Sequence, residues 1–211
     1  MSQPDAYRRI APWYDKVVGR MDGGLKSIAR SMVPPEQGLT VLDVGCGTGT
    51  ALEPYAAAGC ICHGIDASAA MLEQAQNLLK PSAELTLGDA AELPYADDTF
   101  DLVLASVFIH ELGPDTQRQV MSEMARVVAP TGGIQIVDYA AGELSAKGRA
   151  IRGVAMIVER LAGKEHKRNL GRYLAAGGVA HLATSCDLVV DAEKVVGGGN
   201  MGIYLLRPPQ R

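Results

Sequence analysis

The chain has 211 residues, 47% of them hydrophobic and 21% charged, with a formal net charge of −4 at pH 7. That length suits one domain able to bury roughly 70% of the surface its unfolded form exposes, and the composition excludes a disordered chain. The charge is uneven: residues 36–143 carry 3 Lys/Arg against 16 Asp/Glu, while residues 1–35 and 144–211 are net basic. This argues against a nucleic-acid-binding core and leaves room for a basic cap facing an anionic substrate or a membrane surface.

The N-terminus, MSQPDAYRRIAPWYDKV, is broken by charges and has no apolar h-region, so no secretory signal is expected. No run approaches the roughly 18 apolar residues of a membrane span. Cys46, Cys60, Cys62 and Cys186 have neither disulfide-framework nor zinc spacing, which predicts a reduced, cytoplasmic setting. Helical stretches are expected around 4–18 and 22–32.

From residue 39 strand and helix alternate. TVLDVGC (40–46), CHGIDA (62–67), ELTLGD (84–89), FDLVLASV (100–107) and GIQIVDY (133–139) read as strands covered on both faces. Between them lie helical patterns near 49–58, 68–79 and 114–129. Ser68 is the expected N-cap of the second, with Met71, Leu72, Ala75, Leu78 and Leu79 as its apolar face. In the third, Val120, Met124, Val127 and Val128 face the core, and Pro130-Thr131-Gly132-Gly133 is expected to end it. An amphipathic helix follows over about 144–162, with Ile151, Val154, Ala155, Val158 and Leu161 on one face and Arg149, Arg152, Glu159 and Arg160 on the other. DLVVDAEKVV (187–196), GGGN and MGIYLLR (201–207) read as a β-hairpin. The expectation is one α/β domain: a doubly wound, mostly parallel seven-stranded sheet closed by a C-terminal antiparallel hairpin. Along it we expect an N-terminal helical cap (1–35), a ligand-binding core (36–140), a helical lid (141–180) and the hairpin (181–211).

VLDVGCGTGT, Val41 to Thr50, carries the chemistry. It lacks the GK[ST] ending with which a P-loop holds phosphate and magnesium. A dinucleotide turn reads GxGxxG, whereas here Gly49 comes one place early, giving GxGxG. Asp43 sits at the strand end, where a buried carboxylate needs partners. Asp66 follows Gly45 by 21 residues, where this fold brings a carboxylate to ribose hydroxyls, and Asp89 ends the third strand. Each acid alone would suit a helix cap, and Asp66 alone would equally suit a nicotinamide enzyme; three at successive strand ends beside a GxGxG turn are much harder to dismiss as caps.

These segments resemble class I S-adenosylmethionine-dependent methyltransferases. VLDVGCGTG is similar to that family's first motif, GIDAS…ML to its second strand and following helix, and GDAAELPYADDTFDLVLASVFIHEL to the third and fourth strands of the type-11 subgroup, which includes quinone-biosynthesis and phospholipid methyltransferases. The resemblance is strong over about 40–140 and loose at the ends. It implies S-adenosyl-L-methionine as cofactor and S-adenosyl-L-homocysteine as product. Asp43 and the turn Gly45, Cys46, Gly47 and Gly49 should line the methionine part, and Asp66 the ribose. Ala67 and Met71 should lie beside the adenine, Asp89 and Ala90 at its edge, and Ser106 beneath the sulfonium.

His110, past the fourth strand, is the candidate general base, because active sites collect at such strand ends and imidazole titrates in the right range; the alternative is a helix cap or packing beside an aromatic ring. Glu111 is adjacent and would orient it or lie on the surface. HELGP lacks the second histidine of HExxH, so no metal site is expected. ASVFIHEL has neither the [DN]PP[YF] turn of nucleic-acid amino-methyltransferases nor the paired glutamates of protein arginine methyltransferases, which favours a small-molecule or lipid-like acceptor and no nucleic acid. Tyr7, Trp13 and Tyr14 are candidates to cover the cofactor. Lys164, His166, Lys167, Arg168, Arg172 and Tyr173 form either a solvated face or a receptor for phosphate, carboxylate or a membrane surface. Two other readings stay open: a nicotinamide-dependent oxidoreductase, and an S-adenosylmethionine-binding protein that catalyses nothing. The acceptor atom and the oligomeric state leave no trace in the sequence.

Overall fold

The computed structural model describes residues 19–153 and 164–208. Among them, β1 (Thr40–Val44), β2 (Ile61–Asp66), β3 (Ala83–Leu87), β4 (Phe100–Ser106), β5 (Val128–Tyr139), β6 (Val189–Val196) and β7 (Met201–Arg207) form one sheet in the order β3-β2-β1-β4-β5-β7-β6. β1 to β5 pair in parallel, and β7 runs antiparallel to both β5 and β6. β1 and β4 are almost wholly buried, as near-continuous apolar strands at a sheet centre must be. Strand order reverses at β1, so the crevice over the carboxyl ends of β1, β2 and β4 is where this topology places a ligand.

The helices are α1 (Gly19–Met32), α2 (Glu53–Ala57), α3 (Ala69–Leu79), α4 (Pro114–Val127), α5 (146–153 within the described residues), α6 (Lys164–Ala176) and α7 (Gly178–Ser185), with a 3-10 turn at Ile109–Glu111. Ser68 caps α3 as expected, its side chain accepting from the Met71 N–H at 3.2 Å. α4 buries Val120, Met121, Met124 and Val127 in the core that it shares with Leu170, Tyr173 and Val179. α1 lays Leu25 and Ala29 on Val137 and Ile203 of the opposite face. Gln135 of β5 fixes it there by donating to the Ala29 carbonyl at 2.9 Å.

Several local expectations change. The 130–133 segment is no helix terminator: α4 passes at Val127 directly into β5, and β5 slips register against β4 between Phe100 and Leu102. Gly132 allows this, since a Cβ there would come within 2.8 Å of the Asp101 carbonyl. Leu78 is 41% exposed, because α3 needs only Met71, Ala75 and Leu79 to seal its face. The pattern over 49–58 yields a tight turn and the five-residue α2. Arg152 does not face solvent alone: its guanidinium donates to Asn200 Oδ1 at 2.7 Å and stands 5.2 Å from the centre of the Tyr139 ring. The expected helix over 4–18, with Tyr7, Trp13 and Tyr14, and the part of the later helix carrying Val154, Ala155, Val158, Glu159, Arg160 and Leu161 lie outside the described residues.

The connection 88–99 between β3 and β4 is fastened to α4 chiefly by Arg126, with Glu123 beside it. Arg126 donates to the Leu93 carbonyl at 3.0 Å, the Tyr95 carbonyl at 2.8 Å and Asp97 Oδ1 at 2.9 Å. It also holds Glu123, which in turn accepts from the Leu93 N–H at 2.8 Å. These hydrogen bonds keep the Glu123 carboxyl below the usual carboxylate range.

Candidate active site

The turn after β1 is held by β2. The N–H groups of Gly45 and Cys46 both donate to the Ile65 carbonyl, at 2.9 and 3.0 Å, and the Gly47 N–H donates to Asp66 Oδ2 at 2.8 Å. The Ser68 N–H donates to the other Asp66 oxygen at 2.8 Å. Asp66 therefore joins the glycine turn to the start of α3. Two glycines with positive φ do different work. A Cβ on Gly49 would lie 2.6 Å from Leu79 Cδ1, so that glycine lets the turn pack on α3. A Cβ on Gly47 would meet nothing within 4 Å: its missing side chain faces open space, which is what close approach of a ligand requires.

Asp43 is 1% exposed, and among the described residues its Oδ1 has no hydrogen-bond partner. Burial, reinforced by the charge of Asp66 and opposed by Lys26, pushes its pKa up to about 8. A buried carboxylate oxygen without a donor is costly, and a cationic group arriving at the turn would satisfy it. Burial with Asp43 and Asp66 nearby also drives the Cys46 thiol far up, so Cys46 packs as a neutral group and is no nucleophile. Ala67 is exposed and Met71 buried at the start of α3. Asp89 is exposed, with Oδ1 accepting from the Ala91 N–H at 2.9 Å, and Ala90 packs on the main core.

A cavity of about 710 Å³ lies between α1, α2 and the ends of β4 and β5, lined among others by Lys26, Arg30, Thr50, Glu53, Ser106 and Val137. Lys26 donates to Thr50 Oγ1 at 2.5 Å. Of the residues expected to hold the cofactor, Ser106 lines this cavity. Next to it Val107, a β-branched residue, adopts φ +57°, a conformation that costs about 1–3 kcal/mol and collects at functional sites.

His110 lies on the other face of β5. It is 1% exposed, with Nδ1 2.6 Å from Oδ1 of the fully buried Asp138. Asp138 also accepts the backbone N–H of His110 at 3.2 Å and of Tyr139 at 2.7 Å. A carboxylate on Nδ1 fixes the proton there and turns Nε2 into the acceptor nitrogen. The ring meets those of Tyr139 and His166 edge-on, at centroid distances of 4.8 and 5.4 Å. The structure thus shows the packing beside an aromatic ring that was the alternative reading of His110, with Asp138 fixing the orientation of the imidazole. Asp138 is the residue that sequence reasoning passed over, although IVDY places an acid at the end of yet another strand. Glu111 Oε2 lies 4.0 Å from His166 Nδ1. Of the basic segment, His166 and Tyr173 turn to this site, whereas Arg168 stays exposed and pairs with Glu165 at 3.2 Å.

Residues 41–132 match the family model described as a methyltransferase domain. The chain is 33% identical over 134 residues to a demethylmenaquinone methyltransferase of Renibacterium salmoninarum, covering 62% of this chain and 55% of that protein. It is 40% identical over 123 residues to a phosphatidylethanolamine N-methyltransferase of Cereibacter sphaeroides, covering 54% and 59%. Its fold is similar to a TehB-like SAM-dependent methyltransferase from Corynebacterium glutamicum, with TM-score 0.65, 17% identity and coverage of 96% and 98%. It is equally similar to the protein in the DhpI–SAH complex, with TM-score 0.66, 18% identity and coverage of 97% and 94%. The chain spans about half the length of the curated relatives it matches.

Proposed function

We propose that this chain, a class I S-adenosylmethionine-dependent methyltransferase, transfers a methyl group to a small-molecule or lipid-like acceptor such as a quinone precursor or a phospholipid headgroup. The observation that carries this reading is the turn itself: Gly47 faces open space beside a partnerless oxygen of Asp43 and the strand-end carboxylate of Asp66. Those groups fit an adenosyl amino acid. Asp43 offers its carboxylate to the ammonium of the methionine part, and Asp66, at the end of β2, offers its carboxylate to ribose hydroxyls. Ala67, Met71, Asp89 and Ala90 border the adenine side, and Ser106 with the strained Val107 lies at the reacting end.

When bound, the cofactor supplies a methyl group on a sulfonium that is already a good donor. The chain's own task is then to align the acceptor, which can remove on the order of 7–11 kcal/mol of the barrier, and to receive its proton. His110, with Nδ1 on Asp138, is the group we assign to that proton, taking it at Nε2. The relatives named for quinone and phospholipid substrates support an apolar acceptor with an anionic or enolic head. The basic surface of α6, with Arg168 and Arg172, suits such a head. Calorimetry with S-adenosylhomocysteine tests the cofactor, with loss of binding expected in Asp66→Ala. Transfer of labelled methyl from S-adenosylmethionine into a cell extract tests the activity. Binding with no labelled product would leave a cofactor-binding protein without catalysis, and tight NADH binding in place of S-adenosylhomocysteine would return the nicotinamide reading.

A further inference from the structure

We propose that His110, Glu111 and His166 form a site for one divalent transition-metal ion. Each offers one ligand atom, and the three atoms lie within 4.8 Å of one another. Metal–nitrogen and metal–oxygen bonds of about 2.0–2.2 Å put neighbouring donors of a tetrahedral site ~3.4 Å apart. The gap closes by small rotations of the two partly exposed members: the side chains of His166 and Glu111 are 13% and 25% exposed, with Nδ1 and Oε2 already 4.0 Å apart. His110 is the fixed member. Asp138 holds its Nδ1 at 2.6 Å in the core, leaving Nε2 as the ligating nitrogen. A carboxylate behind a histidine is how metal sites fix ring orientation and raise ligand basicity.

The third ligand is held from its backbone as well, since Asn169 of α6 donates to the Glu111 carbonyl at 2.7 Å. α6 thus delivers both His166 and the clamp on Glu111. Two imidazoles and one carboxylate, with no thiolate, select zinc, cobalt, nickel, iron or manganese and not the all-oxygen cations calcium and magnesium. The sequence hides this set because the second histidine arrives from a distant helix, not from the HExxH spacing. The ion takes the same Nε2 lone pair that would receive an acceptor's proton, so a loaded site withdraws His110 from the base role. That last clause alone rests on the proposed methyl transfer.

The test is binding, measured on the whole chain after chelator treatment and dialysis against Zn²⁺ or Co²⁺. One equivalent of metal is expected to remain, and Co²⁺ is expected to add ligand-field absorption. His166→Ala, at a partly exposed position on the first turn of α6, should lower Co²⁺ affinity by at least tenfold while circular dichroism stays unchanged. Asp138→Asn, which keeps all three ligands, should lower it by about 10–100-fold. No stoichiometric retention by the wild type, or equal retention by wild type and His166→Ala, overturns the site. Both readouts are independent of catalysis, so a failure of the methyl-transfer reading leaves them interpretable.

Discussion

Raising the pH from about 5.5 to about 7.5 is expected to tighten S-adenosylhomocysteine binding steeply, and Asp43 is the reason. Its carboxyl is buried, with Oδ1 lacking a hydrogen-bond partner among the described residues, and its pKa is pushed up to about 8. It is therefore protonated across this range in the free protein and must ionise to receive the ligand's ammonium. One proton released on binding gives nearly tenfold in affinity per pH unit while the pH stays below that pKa. The ionised fraction rises roughly 75-fold between these two values, equivalent to about 2.5 kcal/mol. Calorimetry in buffers of different ionisation enthalpy reads both the slope and the proton released. Asp43→Asn removes the titration and should leave a flat profile. A flat wild-type profile, or an unchanged slope in Asp43→Asn, refutes the pairing of Asp43 with the ammonium.

The same group governs the free protein with the opposite sign. Its folded pKa of about 8 stands above the ordinary 3.8, so its stabilising contribution is complete below about pH 4 and is lost as pH rises towards 8, by up to ~1.4 kcal/mol per unit; Tm against pH should show this decline in wild type and a flatter curve in Asp43→Asn. Gly49→Ala drives a Cβ into Leu79 and should cost about 1–3 kcal/mol of stability in urea melts, whereas Gly47→Ala, with open space around it but a φ of +54°, should cost only the backbone strain of about 1–2 kcal/mol and lose ligand affinity besides. His110→Gln should lower kcat by roughly 10²–10⁴ for a proton-bearing acceptor with S-adenosylhomocysteine affinity preserved; equal losses in both would show that His110 only holds the fold. Neutralising Arg168 and Arg172 together should raise the acceptor KM more than it weakens cofactor binding, and equal effects would place the acceptor elsewhere.

The strand–helix alternation and the β7 span Met201–Arg207 were legible in the sequence because apolar runs and turn glycines are local signals. The β4–β5 slip was not: Pro130-Thr131-Gly132-Gly133 reads as a stop, and only the nearby Asp101 carbonyl explains why glycine sits there. The sequence displays the three strand-end acids and the misplaced glycine on which the proposed cofactor cradle rests, but not the Gly47–Asp66 hydrogen bond that ties the turn to one of those acids. The far side of the site was only half legible. His110 could be picked by its place after β4, but its environment is made by Asp138 from β5 and His166 from α6. Such tertiary partners carry no spacing that a reader of the chain can count.

The Arg126 clamp on residues 88–99 bears on how tightly a ligand can bind, although it touches none. Asp89 and Ala90 belong to a connection that is already tied down at Leu93, Tyr95 and Asp97. The conformational entropy of that segment is surrendered during folding, so an adenine bound where we propose would meet a wall with little freedom left to lose. In Arg126→Ala the ordering would shift to the moment of association. Affinity would fall through a more unfavourable binding entropy, with every adenine-facing residue unchanged.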